Sequence, residues 1–317
     1  MKKILYIIFM MLPVLSWGQM AEMTSERIFA RKKILNQYYI NDSTVFYWNN
    51  TKGSFRAGFA KTDNIAPYAD AFKEANIGQY STAFGINNLA IGQTSFSAGI
   101  KNITSATGAI TLGAYNEASG GYTVGLGTNA KSSGFGSVAL SYGNAKGDYS
   151  LAFSGGETVS AGSLAFHNGK TRNQGSLAVG EDVHATAWYA SAIGYHLTSN
   201  SKYCLSVGQW SDSTINATGQ DNALSPRFVV GTGYSSVNRI NGFAVFQNGN
   251  AVHKGSLSIN TTTQPRASLD VVGTDAIIVP VGTDAQRPTS PVLGMIRYNT
   301  TLNKYEGYTN TGWLALH

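Results

Sequence analysis

Large and small residues alternate in a short pattern, close to Ser-x-Ala-x-Gly, that recurs along the middle half of the chain. Two clear copies are Ser163-Leu-Ala165-Phe-His167 and Ser176-Leu-Ala178-Val-Gly180. Six successive copies place their central small residue at positions 139, 152, 165, 178, 192 and 206, so the steps are 13 or 14 residues. A fixed period of this kind is typical of a solenoid, in which each repeat stacks on the next.

The length of the period selects the type of solenoid. Helical repeats need about 30 residues or more, whereas 13 or 14 residues suffice for two short strands and two tight turns. A weaker second column of residues lies between the main motifs, at Ala130, Ala145, Val159, Val183 and Leu197. Gly, Asn and Ser at the corners tolerate the positive φ of tight turns. The pattern therefore predicts an all-β parallel roll of about ten rungs over residues 75–212, roughly 48 Å long.

Alternation along a strand separates large from small side chains. In the copy at 163–166, Leu164 and Phe166 point to one face, and Ser163 and Ala165 point to the other. We expect the large residues to fill the interior and the small ones to form a flat face between chains, with Cys204 on the same face. The predicted interface between chains contains Ala139, Ala152, Ala165, Ala178, Ala192 and Ser206. A monomeric roll whose small face is solvated is the alternative.

The rungs resemble the head repeats of trimeric autotransporter adhesins, the YadA-like heads. This resemblance implies a left-handed parallel β-roll that assembles as a homotrimer. Residues 228–233 and 238–249 are similar to the connector that follows such heads, and residues 286–313 are similar to C-terminal modules of phage tail-fibre-like and Bacteroidetes surface proteins. The long heptad stalk of the family is missing, so the resemblance implies neither self-translocation nor direct anchoring.

The N-terminus indicates export. Lys2 and Lys3 precede an apolar run over 4–15, and small residues stand before Gln19, which is the pattern of a secretory signal over residues 1–18. The apolar run is shorter than the ~20 residues of a spanning helix, so no membrane span is expected. We expect an extracellular or cell-surface protein.

The rest of the chain divides around the roll. Residues 19–74 form an N-terminal segment and a cap, with partly helical spacing over 25–39 and a hairpin over 44–58. Residues 213–260 form a connector, in which Asn248-Gly249 predicts a second hairpin. Residues 261–317 form a small C-terminal β module, with strands expected over 269–272, 277–281, 295–298, 304–308 and 313–316.

Composition limits the possible partners and chemistry. Charged residues make up 13% of the chain, the net charge is +6, and the basic residues are scattered. Nucleic-acid binding is therefore not expected, because it requires a basic stripe or a recognised module. Neither a catalytic motif nor a phosphate loop is present. His167, His184 and His196 fall at different offsets within their rungs, so we expect separate roles. The sequence predicts no catalytic residue, cofactor or metal.

One end of the roll is rich in aromatic residues, which are favoured at binding surfaces. The candidate ligand-binding residues are Trp188, Tyr189, Tyr195, His196 and Trp210. The alternative is that the two tryptophans only cover the last rung where the connector begins.

Three functions are compatible with these patterns. The first is a secreted, non-enzymatic trimeric adhesin whose rigid roll attaches to a surface, glycan or matrix ligand. The second is a structural subunit of a larger cell-surface assembly, docked through an end module to a partner protein. The third is a carbohydrate-active enzyme, which would need clustered carboxylates, whereas the acidic residues of the roll are scattered.

Overall fold

The computed structural model describes residues 21–23, 28–30, 43–60, 71, 73–214, 221–261 and 263–316. It is all-β, with 43% strand and 2% helix, and its main feature is a parallel β-solenoid. This confirms the predicted fold class. The chain divides into two compact units, Met1–Lys254 and Gly255–His317. The predicted signal segment lies outside the described residues.

The first unit begins with two antiparallel pairs. Strand β1 (Ala21–Met23) pairs with β2 (Ile28–Ala30), so residues 28–30 are extended where the spacing suggested a helical turn. The remainder of 25–39 is outside the described residues. Strand β3 (Ser43–Asn49) and β4 (Ser54–Ala60) form the predicted hairpin. Strand β4 pairs in parallel with the first strand of the roll, so this hairpin covers the N-terminal edge of the sheet. A 3-10 helix follows at Glu74–Asn76.

Each rung of the roll contributes one long and one short strand. The long strands are β5 (Thr82–Ile86), β7 (Phe96–Ile100), β9 (Ile110–Ala114), β11 (Val124–Thr128), β13 (Val138–Leu140), β15 (Leu151–Phe153), β17 (Leu164–Phe166), β19 (Leu177–Val179), β21 (Ser191–Tyr195) and β23 (Leu205–Gln209). The short strands are β6 (Leu89–Ala90), β8 (Ile103–Thr104), β10 (Glu117–Ala118), β12 (Lys131–Ser132), β14 (Asn144–Ala145), β16 (Glu157–Thr158), β18 (Lys170–Thr171), β20 (His184–Ala185) and β22 (Thr198–Ser199). Within each set, neighbours pair in parallel and in register, which gives two facing sheets.

The C-terminal side of the roll also ends in a hairpin. Strand β24 (Pro226–Thr232) continues the long-strand sheet in parallel with β23. Strand β25 (Asn241–Phe246) and β26 (Ala251–His253) then add antiparallel strands, as the Asn248-Gly249 turn predicts. Val229 and Ala244 pack with Cys204 in a small buried cluster. Thus both ends of the parallel sheet continue into antiparallel hairpins.

Small side chains fill the interior of the roll. The six residues predicted to lie between chains, Ala139, Ala152, Ala165, Ala178, Ala192 and Ser206, are all 0–2% exposed within a single chain, and Cys204 is buried beside them. Their assignment to a face between chains is therefore wrong, and so is the placement of Leu164 and Phe166 inside. The alternation was correct, but the small face is the inner one.

The close approach of the two sheets explains this arrangement. Inner side chains of opposite sheets are within hydrogen-bonding distance: Thr104 Oγ1 lies 2.5 Å from Thr111 Oγ1, and Ser150 Oγ lies 2.7 Å from Thr158 Oγ1. At the middle of the two sheets such a gap holds Ala, Ser and Thr, and a leucine or phenylalanine there would force the sheets apart. The larger buried residues Val183 and Leu197 directly precede short strands, where the chain turns. The large residues of the long strands consequently point outward.

A ladder of buried asparagines supports the corner of the first rungs. Asn88, Asn102 and Asn116 occupy equivalent positions in successive rungs and are 0–1% exposed. Asn102 Nδ2 donates to the carbonyls of Ala98 and Gly113, and its Oδ1 accepts the backbone N–H of Asn116 at 2.9 Å. Each amide thus bonds backbone groups of its own rung and the next, which satisfies polar groups that the tight corner removes from strand pairing.

An arginine closes the N-terminal end of the interior. Arg56 pairs in register with Ala83, the first small residue of the core column, and is completely buried. Its guanidinium donates to Ser81 O and Oγ and to Ala90 O at 2.8–3.0 Å. The planar donor group therefore fills the N-terminal end of the interior and adds hydrogen bonds to carbonyls that also accept the backbone N–H groups of Phe55 and Gly78.

The second unit is small and strand-rich. Strand β27 (Leu257–Ile259) pairs in parallel with β28 (Leu269–Val271). A four-stranded sheet contains β29 (Val281–Gly282), β30 (Ile296–Asn299), β31 (Lys304–Thr309) and β32 (Gly312–Ala315), and a 3-10 helix spans Asp284–Gln286. Of the strand expected over 277–281, only Val281 is in a strand, which continues to Gly282.

A buried carboxylate organises this second sheet. Glu306 is 1% exposed and accepts hydrogen bonds from Arg287 and from Asn299 Nδ2 at 2.9 Å, with Arg297 Nε 3.6 Å away. The Arg287 guanidinium holds the pKa of Glu306 below its usual value. The desolvation of a buried ion pair offsets much of its attraction, whereas removal of one partner leaves an uncompensated charge and is strongly destabilising.

We predict that Asn102→Ala destabilises the roll by about 2–4 kcal/mol, because it leaves the carbonyls of Ala98 and Gly113 and the N–H of Asn116 buried without their partner. Urea unfolding followed by circular dichroism measures the change. Asn144→Ala is the matched control, because Asn144 points out of the roll from β14. Equal effects of the two substitutions would contradict the ladder.

We also predict that Ala165→Leu lowers the melting temperature strongly, because the interior has no room for three additional carbon atoms, and overpacking costs about 1–3 kcal/mol or more. The control is Phe166→Leu at the neighbouring outward position, which we expect to leave the fold intact. If Ala165→Leu folded normally and altered only the association of chains, the small face would lie outside after all.

Candidate functional site

Every rung turns at two corners, which form two edges along the roll. Edge 1 is the corner between each long strand and the following short strand, and edge 2 is the corner between each short strand and the next long strand. Both corners use residues with positive φ, such as His196 (49°) on edge 1 and Tyr203 (58°) on edge 2. Their backbone N–H groups donate to the preceding rung, to Glu181 O at 3.0 Å and to Trp188 O at 3.1 Å. Corner side chains are therefore stacked in columns.

Three of the candidate residues meet on edge 1. The imidazole of His196 stacks on the indole of Trp210, with ring centroids 4.0 Å apart and an angle of 12° between the planes. Tyr195 packs edge-on against both rings, at 4.0 Å and 5.9 Å. The contact follows from the repeat, because His196 and Trp210 hold the same corner position in successive rungs.

The same column brings a carboxylate to two imidazoles. Asp182 precedes His196 by one rung; its Oδ1 lies 2.9 Å from His184 Nε2 and its Oδ2 lies 2.8 Å from His196 Nδ1. An ionised carboxylate only accepts hydrogen bonds, so both rings donate to it. These bonds, with that from His184 the larger, hold the pKa of Asp182 below its usual value of 3.8. The expectation that His184 and His196 act separately is therefore wrong, because they share one carboxylate.

The connector covers the other side of this cluster. The Arg239 guanidinium lies 5.2 Å from the centroid of the Trp210 ring, and its Nη1 donates to the carbonyls of His196 and Ser211 at 3.1 and 3.2 Å. A cation over the face of an indole is attracted by the ring quadrupole. The indole of Trp210 thus contacts both an imidazole and a guanidinium, which agrees with a covering role for this tryptophan.

The other two candidate residues lie on edge 2. The ring of Tyr189 stacks on Tyr203 of the next rung, with centroids 5.5 Å apart and planes 3° from parallel. Lys202 Nζ lies 5.8 Å from the ring centroid of Trp188, and Arg227 lies 5.9 Å from that of Tyr203. Both Trp188 and Tyr189 remain about half exposed.

The five candidate residues thus belong to two edges and not to one site. Tyr195, His196 and Trp210 meet on edge 1, while Trp188 and Tyr189 lie on edge 2, at the opposite ends of the long strands. Sequence reasoning missed Asp182, His184 and Arg239 as partners of the first group, and Tyr203 as a partner of the second. A signal was present, since 182, 196 and 210 are spaced by one period, as are 189 and 203.

The chemistry available on edge 1 is hydrogen bonding and ring stacking. Both oxygens of Asp182 are engaged by the imidazoles. Within the described residues there is no group of three or more His, Cys, Asp or Glu side chains arranged to hold a metal ion. The thiol of Cys204 is buried, and burial raises its pKa, which disfavours the reactive thiolate.

Comparison with known proteins gives no assignment. No family model, curated protein or solved structure matches this chain. Among the residues that the structure describes, none form a helix of the length and apolar character needed to cross a membrane.

We predict that Asp182→Asn lowers the melting temperature at pH 7 by about 1–2 °C, a small effect because the carboxylate is half exposed. Folding lowers the pKa of Asp182, so its contribution is present above the ordinary pKa of 3.8 and is lost as the pH falls through the lowered value. Melting curves from pH 7 to pH 2 measure this, with Glu181→Gln as the control. If the difference in melting temperature between the wild type and Asp182→Asn were the same at pH 2 as at pH 7, the predicted role of the ionised carboxylate would be contradicted.

Proposed function

We propose that this chain is an exported, non-enzymatic attachment protein that works as a homotrimeric β-roll at the cell surface. The observation that carries the proposal is the outer face of the long-strand sheet. This outer face consists of the outward side chains of β5 to β23, and it presents large apolar residues to the surroundings of a single chain.

The outer face is continuous because the strands pair in register. Val138, Leu151, Leu164 and Leu177 form one column, and Leu140, Phe153, Phe166 and Val179 form the next. Representative side chains along its length are 36–41% exposed: Phe84, Ile110, Leu112, Phe153, Leu164, Ile193 and Leu205. Soluble monomers rarely expose contiguous apolar patches beyond a few hundred Å², so a covering partner is expected over ten rungs.

A second and a third copy of the chain are the partners that fit. The face repeats once per rung, at roughly 4.8 Å, and an identical chain aligned in parallel offers the same repeat. Three such sheets around one axis cover each other's apolar columns and close the assembly without a free face. The resemblance of the rungs to YadA-like heads supports the same number of chains. The interface would then consist of large residues, in place of the small ones that the sequence suggested.

An attachment role suits such an assembly. Stacked rungs bonded on two sheets and two corners make a stiff rod, and rods of this kind hold a ligand-binding surface away from the cell. The secretory pattern of residues 1–18 supports export. The absence of a dense basic run argues against a nucleic-acid partner.

A second candidate function, a subunit docked into a larger surface assembly, is favoured by the second unit. Its large apolar side chains are strongly exposed, with Ile278 at 89% and Leu293 at 65%, while Glu306 and Arg297 are buried. Such a surface suits a protein partner. Cross-linking on intact cells separates the two functions, since a docked subunit yields one specific protein adduct and a free attachment protein yields adducts of its own chain only.

We predict that light scattering gives the purified protein three times the mass of its chain. The double variant Phe153→Asp and Leu164→Asp is expected to reduce this to one chain mass with unchanged strand content, because it places charges inside the proposed interface. Val159→Asp is the matched control, since Val159 is 49% exposed but lies outside the long-strand sheet. A monomeric wild-type protein would overturn the proposed trimer.

A further inference from the structure

Edge 2 carries a column of exposed aromatic rings that extends far beyond the two candidate residues. Its members are 44–69% exposed: Tyr80, Tyr122, Phe135, Tyr149, Tyr189 and Tyr203. Neighbouring rings touch, since the centroid of Phe135 is 5.6 Å from those of Tyr122 and Tyr149. These rings point away from the roll interior, so packing of the core does not account for them.

The backbone at these tyrosines is in an unfavourable conformation. Five of them have φ between 53° and 58°, the left-handed region, which costs a bulky residue roughly 1–2 kcal/mol. Four other rungs use glycine in the same corner position, at Gly108, Gly136, Gly162 and Gly175. Glycine adopts this conformation without a penalty, so the turn itself does not require tyrosine. Strain of this kind indicates a role for the side chain.

The rings are held in place by the rung before them. Atoms Cδ1 and Cε1 of Tyr122 lie 2.6 and 2.8 Å from the position that a Cβ on Gly108 would take, and Tyr149 covers Gly136 in the same way. A side chain at those glycines would displace the rings. Rings already fixed in the free protein lose little freedom on binding, which favours affinity.

The ring positions of edge 2 carry few charges. The two corner residues of each rung, from Gln79-Tyr80 to Lys202-Tyr203, include one acid, Asp148, and one base, Lys202. Lys146 and Arg172 directly follow their short strands on the same edge, and Lys146 is paired with Glu157. Asp148 Oδ1 already accepts the backbone N–H of Phe135 at 2.7 Å, and Lys202 lies over Trp188. Uncharged hydrogen-bonding side chains lie beside these rings: Gln79 precedes Tyr80 in its own corner, and Gln93 and Gln174 lie in rungs between the aromatic ones.

We propose that edge 2 binds a linear, uncharged polysaccharide that runs along the axis of the roll. The faces of pyranose rings carry C–H groups that pack on aromatic rings, and their rim hydroxyls suit the amides of the glutamines. A polymer matches a column of rings that repeats along the roll better than a small ligand does. The inference rests on the proposed function only in assuming that the roll is displayed for attachment.

The test is native affinity electrophoresis of the full chain in gels that contain laminarin, hydroxyethyl cellulose or galactomannan, with acidic alginate for comparison. We expect at least one neutral polysaccharide to retard the wild-type protein. The double variant Tyr122→Gly and Tyr149→Gly removes two rings and keeps a residue that suits the turn, so it is expected to fold and to bind at least about tenfold more weakly. Tyr149→Phe retains the ring and is expected to bind like the wild type.

The matched control is Tyr142→Gly, because Tyr142 has a φ of 64° and the same 61% exposure as Tyr122 but lies on edge 1. The site on edge 2 is rejected if no neutral polysaccharide retards the wild-type protein, if only alginate does, or if Tyr142→Gly weakens binding as much as the double variant. If light scattering gives a trimer but no polysaccharide retards it, the binding site is rejected and the proposed trimer stands. If light scattering gives a monomer that a neutral polysaccharide retards, the trimer is rejected and the binding site stands.

Discussion

The narrow gap between the two sheets of the roll is the constraint on which the other features depend. Side chains that meet in the gap, such as Thr104 with Thr111 and Ser150 with Thr158, are already in hydrogen-bonding contact. The positions that face each other across the middle of the gap hold Ala, Ser, Thr, Gly and Cys, and the large residues of the long strands face outward. The interior of this protein consequently combines small apolar residues with many buried hydroxyl and amide side chains, most of which have hydrogen-bond partners.

A core of small residues stabilises a single chain weakly through burial, so other interactions become important. Backbone ladders along two sheets and two corners, the amides of Asn88, Asn102 and Asn116, and the guanidinium of Arg56 supply hydrogen bonds to many polar groups of the roll. The apolar area that ordinary domains bury inside remains on the outer face. Association of chains through that face, as proposed above, would recover this burial and would couple assembly to stability.

The sequence was sufficient to predict the rungs, their period and both hairpins, because those depend on local spacing and turn residues. It was not sufficient to predict which of the two neighbouring side chains, Leu164 or Ala165, points into the interior of the roll. Alternation states which residues share a face, and only the distance between the sheets decides which face is enclosed. The contact of Asp182 with His184 and His196 needed the register of neighbouring rungs, and the role of Arg56 needed its pairing with Ala83. On edge 2, the tyrosines were spread over too many rungs to stand out from the composition.

Because every rung contacts mainly its two neighbours, the roll behaves as a one-dimensional stack. Duplication or deletion of one unit of 13 or 14 residues changes the length of the roll by roughly 4.8 Å. The outer face and both edges remain continuous, and each terminal hairpin still pairs with the end of the sheet. Arg56 contacts the first rung, so it closes the N-terminal end of the interior whatever the number of rungs that follow. The fold therefore allows the length of the roll to change during evolution without a change in the residues of its outer face or its edges in the remaining rungs.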